Sequence, residues 1–322
     1  MAKQIIGVVL LNMGGPERQE DVEPFLTNLF SDRDIIRLGP PCLQKPLARF
    51  IAHRRARHSR EMYAKIGGGS PLRAISEAQA ASLEQALAGV GDYRVRVAMR
   101  YWNARAEEIL TELKALNPAR LIALPLYPHY SRTTTGSSLA DLRRAREKIL
   151  PDVSMTEIAA WPDHPGYIAA LARCLKEGLE QCASEKPRLL YSAHSLPQAV
   201  IDGGDPYLDH LRRTITALEK ETGARGTLCF QSRGGPVRWL QPETGAVIDE
   251  CAGAKEKEVL VMPISFVSDH VETLYEIGIL FRQRAARHWM RLVATPSLNT
   301  RADFIACLRD LALAAPALAA QS

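Results

Sequence analysis

Short apolar runs alternate with helical stretches from one end of the chain to the other. The runs predict strands at Ile5–Met13, Tyr93–Arg100, Arg120–Leu126, Val153–Ile158, Arg188–Ala193, Thr227–Gln231, Glu258–Ser265 and Met290–Ala294. Between them, apolar positions at helical spacing predict helices over Asp21–Phe30, Pro46–Ile66, Leu72–Leu87, Ala106–Leu116 and Ser137–Leu150. The pattern continues with Pro165–Gln181, Pro206–Thr222, Glu243–Cys251, Val271–Ala286 and a last helix from Arg301 to Leu313. Strands apolar on both faces and separated by helices predict parallel sheets covered on both sides. The strands fall into two sets of four, broken near Trp161-Pro162-Asp163-His164-Pro165. The expected fold is α/β: two similar Rossmann-like domains, residues 1–160 and 161–322, each a four-stranded parallel sheet flanked by helices. The active-site cleft is expected between them, with the last helix packing back on the first domain.

Composition narrows the classes. The chain has 322 residues, of which 46% are hydrophobic and 24% charged, as in ordinary globular proteins. A net charge of +5 tolerates anionic ligands or an anionic membrane surface. Basic residues are not interleaved with aromatics, so no nucleic-acid partner is expected. Six scattered cysteines form no C-x-x-C pair, which predicts free thiols in a reducing cytosol. The apolar run Ile5–Leu11 is too short for a signal peptide, and no run approaches the ~20 residues of a membrane span. A cytoplasmic protein is expected, at most lying against a membrane.

Three segments carry unusual residues. Leu38–Ile51 holds three prolines, which argue against a normal helix at its start, yet it is rich in large apolar side chains. It suits either a buried connector or an exposed apolar lip beside a cleft or membrane. Arg54, Arg55, Arg57, Arg60 and Tyr63 follow, either as a solvated helix face or as a grip for carboxylates. The clusters Asn12–Pro16 and Gly67–Pro71 are tight turns or anion-binding nests, and neither has dinucleotide-fingerprint spacing.

Candidate chemistry lies at two strand ends. Glu258–Phe266 reads as a strand, and Asp269, His270, Glu272 and Glu276 follow within eight positions. Leu189–Pro197 is a second apolar strand, ending in His194 before a proline turn. Open α/β sheets place ligand sites at such carboxyl ends. Asp269 with Glu272 also reads as a capping pair for the next helix. An imidazole facing a carboxylate would make a general base beside an acid, or a weak metal site.

Six segments in register resemble the ferrochelatase family, enzymes that insert ferrous iron into a porphyrin at the end of haem synthesis. They are LNMGGP (Leu11–Pro16), YAKIGGGSP (Tyr63–Pro71), YPHYSRTTTGSSL (Tyr127–Leu139), SAHSLP (Ser192–Pro197), Gly235–Trp239 and SDHVETLYE (Ser268–Glu276). The resemblance implies that His194 accepts pyrrole protons or binds iron, and that Glu272 is its partner in catalysis and metal binding. Glu276 would continue an acidic path, and Asp269 and His270 would orient the group. It further implies porphyrin contacts at Met13, Arg55, Tyr63, Ser70, Arg100, Tyr101, Thr133, Trp239 and Phe266, with Arg55, Tyr63 and Ser70 as a propionate clamp. The implied substrates are protoporphyrin IX and Fe²⁺, with no tightly bound cofactor. Arg132 stands where cluster-bearing relatives place a cysteine, so no iron–sulfur cluster is expected, and Arg238 replaces a smaller residue. Coproporphyrin III as substrate, a non-catalytic porphyrin carrier, peripheral membrane contact through the apolar lip, and a monomer or homodimer all remain open.

Overall fold

The computed structural model describes residues 4–319, with side chains to Ala315. The chain forms two compact units: one runs to Trp161 and takes in the segment from Thr300 onward, the other spans Pro162–Asn299. The sequence grouping of 161–322 differs at its end. The last helix shares a unit with the first 161 residues because its apolar face packs against a helix there.

In the first unit β1 (Ile5–Asn12) leads through α1 (Val22–Ser31), α2 (Pro41–Ala64) and α3 (Leu72–Leu87) to β2 (Asp92–Met99). The chain continues through α4 (Ala106–Lys114), β3 (Arg120–Pro125), a short π-helix at Arg132–Gly136, α5 (Ser137–Ile149) and β4 (Ser154–Glu157). The strands are parallel in the order β2-β1-β3-β4. Val9, Leu11, Leu121 and Ala123 pack against Leu110 and Leu113 of α4 and Leu142 of α5, a core sealed from water on that face.

The second unit repeats the plan with α6 (Pro165–Glu180), β5 (Arg188–His194), α7 (Gln198–Asp202), α8 (Tyr207–Thr222), β6 (Gly226–Gln231), α9 (Thr244–Gly253) and β7 (Glu258–Pro263). A π-helix at Glu272–Phe281 runs into α10 (Arg282–Arg287), and β8 (Arg291–Ala294) closes the sheet in the order β6-β5-β7-β8. Every residue of β7 is buried, as expected of a strand covered on both faces. The chain then enters α11 (Ala302–Ala319), which packs on α3, β3 and β4 of the first unit. Among the described residues, no helix is long and apolar enough to cross a membrane.

Three local readings change. The helix expected from Pro46 begins at Pro41, because a proline at the first helical position loses only an amide that has no partner anyway. Pro46 sits inside that helix and costs it one hydrogen bond. Of the two readings of the apolar segment, a buried connector does not hold throughout: Leu43 and Phe50 are exposed on α2, with Ile36 exposed just before it. The helix expected over Val271–Ala286 is a π-helix for most of its length, a form common beside functional sites. The glycine loops pack on each other. Ser70 N–H donates to Pro16 O at 2.7 Å, and a Cβ on Gly69 would lie 1.9 Å from Glu17 O. Their glycines therefore serve close backbone approach.

Candidate active site

In the second sheet the strand order reverses at β5, with β6 on one side and the parallel β7 on the other, and the candidate site lies at the carboxyl ends of these strands, where α/β sheets bind ligands. β5 ends in His194, whose backbone N–H donates to Ser265 Oγ just beyond β7 and whose carbonyl accepts from Tyr207 Oη. Both ties hold the imidazole over the sheet edge. From the other side the π-helix brings in Glu272, and its Oε2 lies 2.8 Å from His194 Nδ1. Residues 78 positions apart thus meet as the sequence pattern requires, and the capping reading of Glu272 falls away.

Asp269 takes the structural work instead. Its carboxylate accepts from Thr273 Oγ1 at 3.0 Å, Ser297 Oγ at 2.6 Å and Asn299 Nδ2 at 2.8 Å. His270 N–H donates to Thr273 Oγ1, and its ring lies tilted at 58° to Phe266 with centroids 4.3 Å apart. Phe266 also presents an edge to His194 at 6.4 Å, so the phenyl ring stands between two imidazoles. Trp239 pairs with Pro197 in a short bridge, which lays it beside the turn that follows His194.

Electrostatics separate the two acids. Burial would raise the Glu272 carboxyl, but the charge and hydrogen bond of His194, with help from Ser232, hold it down at about 2. Burial and the neighbouring Glu272 charge push Glu276 up to about 7, against hydrogen bonds from Ser232 and Gln231. One carboxylate is therefore fixed as an anion, and the other exchanges its proton near neutrality. Burial alone would lower His194, yet the Glu272 charge and hydrogen bond prevail and raise it. His270 is lowered by burial, reinforced by His194.

Ser232 and Gln231, which the sequence reading passed over, complete the cluster. Ser232 Oγ lies 2.6 Å from Glu272 Oε2 and 2.7 Å from Glu276 Oε2. Gln231 Nε2 donates to the Glu272 carbonyl at 3.0 Å and to Glu276 at 3.2 Å, while its Oε1 accepts from Ser192. Gln231 ends β6 as His194 ends β5, and Ser232 follows it; that position at a strand's carboxyl end was the available signal.

The other predicted contacts lie in the first unit, around the carboxyl end of its sheet. Met13 O accepts from Tyr101 N–H, Ser70 joins the same loop through Pro16, and Thr133 is buried in the Arg132–Gly136 turn capped by Ser131 Oγ. Arg55 is exposed, with its guanidinium 5.5 Å from the Phe30 ring, whereas Tyr63 is buried. Arg100 and Tyr101 do not present free polar groups. Asp32 Oδ2 accepts from Arg100 Nη2 at 2.7 Å, Tyr101 Oη at 2.7 Å and Ser137 Oγ at 2.8 Å. This half-buried carboxylate was not singled out in the sequence.

The ferrochelatase family model matches residues 5–315. A ferrochelatase of Desulfotalea psychrophila is 53% identical, covering 95% of this chain and 96% of the relative. One from Geobacter metallireducens is 48% identical over 94% of this chain and 96% of its own. Among solved structures, SirB from Bacillus subtilis with Fe³⁺ shares the fold at a TM-score of 0.58 and 10% identity, covering 97% of this chain and 95% of that one.

Proposed function

The chain belongs to the ferrochelatase family, enzymes that insert a metal into a porphyrin, and on that premise we propose that it inserts Fe²⁺ into protoporphyrin IX through His194 and Glu272. The carrying observation is the 2.8 Å contact between Glu272 Oε2 and His194 Nδ1 at the end of β5. A carboxylate there holds the imidazole proton on Nδ1 and leaves the Nε2 lone pair free. The His194 side chain is 36% exposed, so that lone pair is reachable.

The reaction exchanges two pyrrole protons for one Fe²⁺. His194 Nε2 takes a proton from a pyrrole N–H, and the imidazolium so formed is stabilised by the Glu272 anion. One imidazole and one carboxylate hold Fe²⁺ weakly, which suits a metal that must be passed on. Glu276, balanced near neutrality, offers the next position for a departing proton. Asp269 fixes the start of the π-helix, and His270 supports Phe266 against the pair.

For the ring itself we assign Met13, Phe266, Trp239 and Thr133 to the macrocycle and Arg55, Tyr63 and Ser70 to its propionates. Arg100 and Tyr101 act at one remove, since Asp32 engages their polar atoms and they brace the loop behind Met13. No resident cofactor or iron–sulfur cluster belongs to this reading, with Arg132 at the position where cluster-bearing forms carry cysteine. The protein is placed in the cytoplasm, its exposed Ile36, Leu43 and Phe50 suited to a membrane face.

The preference for protoporphyrin rests on this same apolar surface and on Met13, because extra propionates would demand more basic partners. Steady-state metal insertion into each porphyrin tests it. The expected result is a higher kcat/KM on protoporphyrin IX than on coproporphyrin III; the reverse order overturns the assignment.

A further inference from the structure

Resting on the ferrochelatase reading, we infer that Ser232 is the positioning residue that locks Glu272 onto His194 and ties it to Glu276. Ser232 is the first residue after β6, and its backbone is left-handed, with φ of +67°. Any Cβ disfavours that conformation, and glycine adopts it freely. A turn alone would be better served by glycine, which follows at Gly234 and Gly235. What serine adds is a hydroxyl aimed into the acid cluster.

That hydroxyl meets the one oxygen on which the site depends. Glu272 Oε2 faces His194 Nδ1 at 2.8 Å and Ser232 Oγ at 2.6 Å, so groups from the ends of β5 and β6 and from the π-helix converge on it. The same hydroxyl reaches Glu276 Oε2 at 2.7 Å. Glu272 and Glu276 stand four residues apart on one helix face, where like charges push each other away. The hydroxyl has one proton: Ser232 donates it to the Glu272 anion and accepts from Glu276 when that carboxyl is protonated, so a neutral group holds the two side chains converged without adding charge. Gln231 cannot replace it, since Nε2 reaches the Glu272 backbone carbonyl and the Glu276 side chain but not the Glu272 carboxylate. Without Ser232, only His194 and the more distant His270 at 3.9 Å would restrain the Glu272 carboxylate among the described residues.

The substitution Ser232→Gly separates the two roles, because it keeps the turn and removes the hydroxyl. In the full chain, thermal unfolding would be measured beside Zn²⁺ insertion into protoporphyrin, with metal and porphyrin varied independently. The expected S232G protein melts at or above the wild-type temperature. Its kcat/KM for metal falls roughly tenfold or more, the scale of a lost hydrogen bond to a charged group, while its porphyrin KM stays near the wild-type value. Ser232→Ala shows the same kinetic loss with a lower melting temperature. Wild-type metal kinetics in S232G would overturn the inference, as would equal damage to the use of both substrates. A wild-type protein that metallates no porphyrin would instead remove the reading on which the inference rests.

Discussion

His194→Ala lowers metal insertion on the order of 10³-fold while leaving porphyrin binding close to wild type. The imidazole is the candidate base at the end of β5, and its Nδ1 is committed to Glu272, so no other nitrogen in the cluster takes its place. His270 is the nearest alternative, but burial lowers it, and its Nε2 stands 3.9 Å from Glu272 Oε1. Binding survives because the ring and propionate contacts assigned above, from Met13 to Phe266, are made by other side chains. Zn²⁺ insertion followed by product fluorescence gives the rate, and quenching of protein fluorescence gives the binding. A variant retaining a tenth or more of wild-type turnover would remove His194 from the chemistry.

Glu272→Gln is expected to lose about 10² in kcat and to move the acid limb of the pH–rate profile to lower pH. Glutamine keeps the shape and the contact with Ser232 but not the charge. In the native protein the Glu272 anion overrides burial and raises His194. A raised imidazole becomes a free base only above that raised value, so wild-type activity falls as pH drops through it. With the Glu272 anion gone, burial is opposed by the smaller contribution of the Glu276 charge, and His194 falls from its raised value. The neutral base then persists to lower pH, and the limb follows. Activity falls nonetheless, because the imidazolium formed in the reaction has lost its counter-charge. A limb that stays in place or moves upward would contradict the pairing.

The strands and the meeting of His194 with Glu272 were readable because both are written in periodicity. An apolar run marks a strand, its last residue marks the carboxyl end of the sheet, and His194 and Glu272 follow such ends. Ser232 occupies the same kind of position after β6 but was overlooked, since a serine among Gln231, Arg233 and Gly234 carries no charge to attract notice. Asp32 was hidden for another reason. Its partners Arg100, Tyr101 and Ser137 lie 68, 69 and 105 residues away, and only the folded sheet brings them together. The same network explains why Arg100 and Tyr101, just beyond β2, spend polar atoms on Asp32. The π-helix at Glu272–Phe281 escaped because a wider turn shifts the apolar spacing too little over ten residues to be seen. Pro41 and Pro46 misled in the opposite direction: one stands where its missing amide has no use, and packing tolerates the other.

The central claim is that one imidazole and one carboxylate work as a single unit, and a double-mutant cycle tests it most directly. Metal insertion would be measured under anaerobic conditions with Fe²⁺ for wild type, His194→Ala, Glu272→Gln and the double variant. Groups that act as a unit are not additive, so the double variant should be no slower than His194→Ala alone. If the two losses multiply instead, the residues act independently and the account of a coupled pair is wrong.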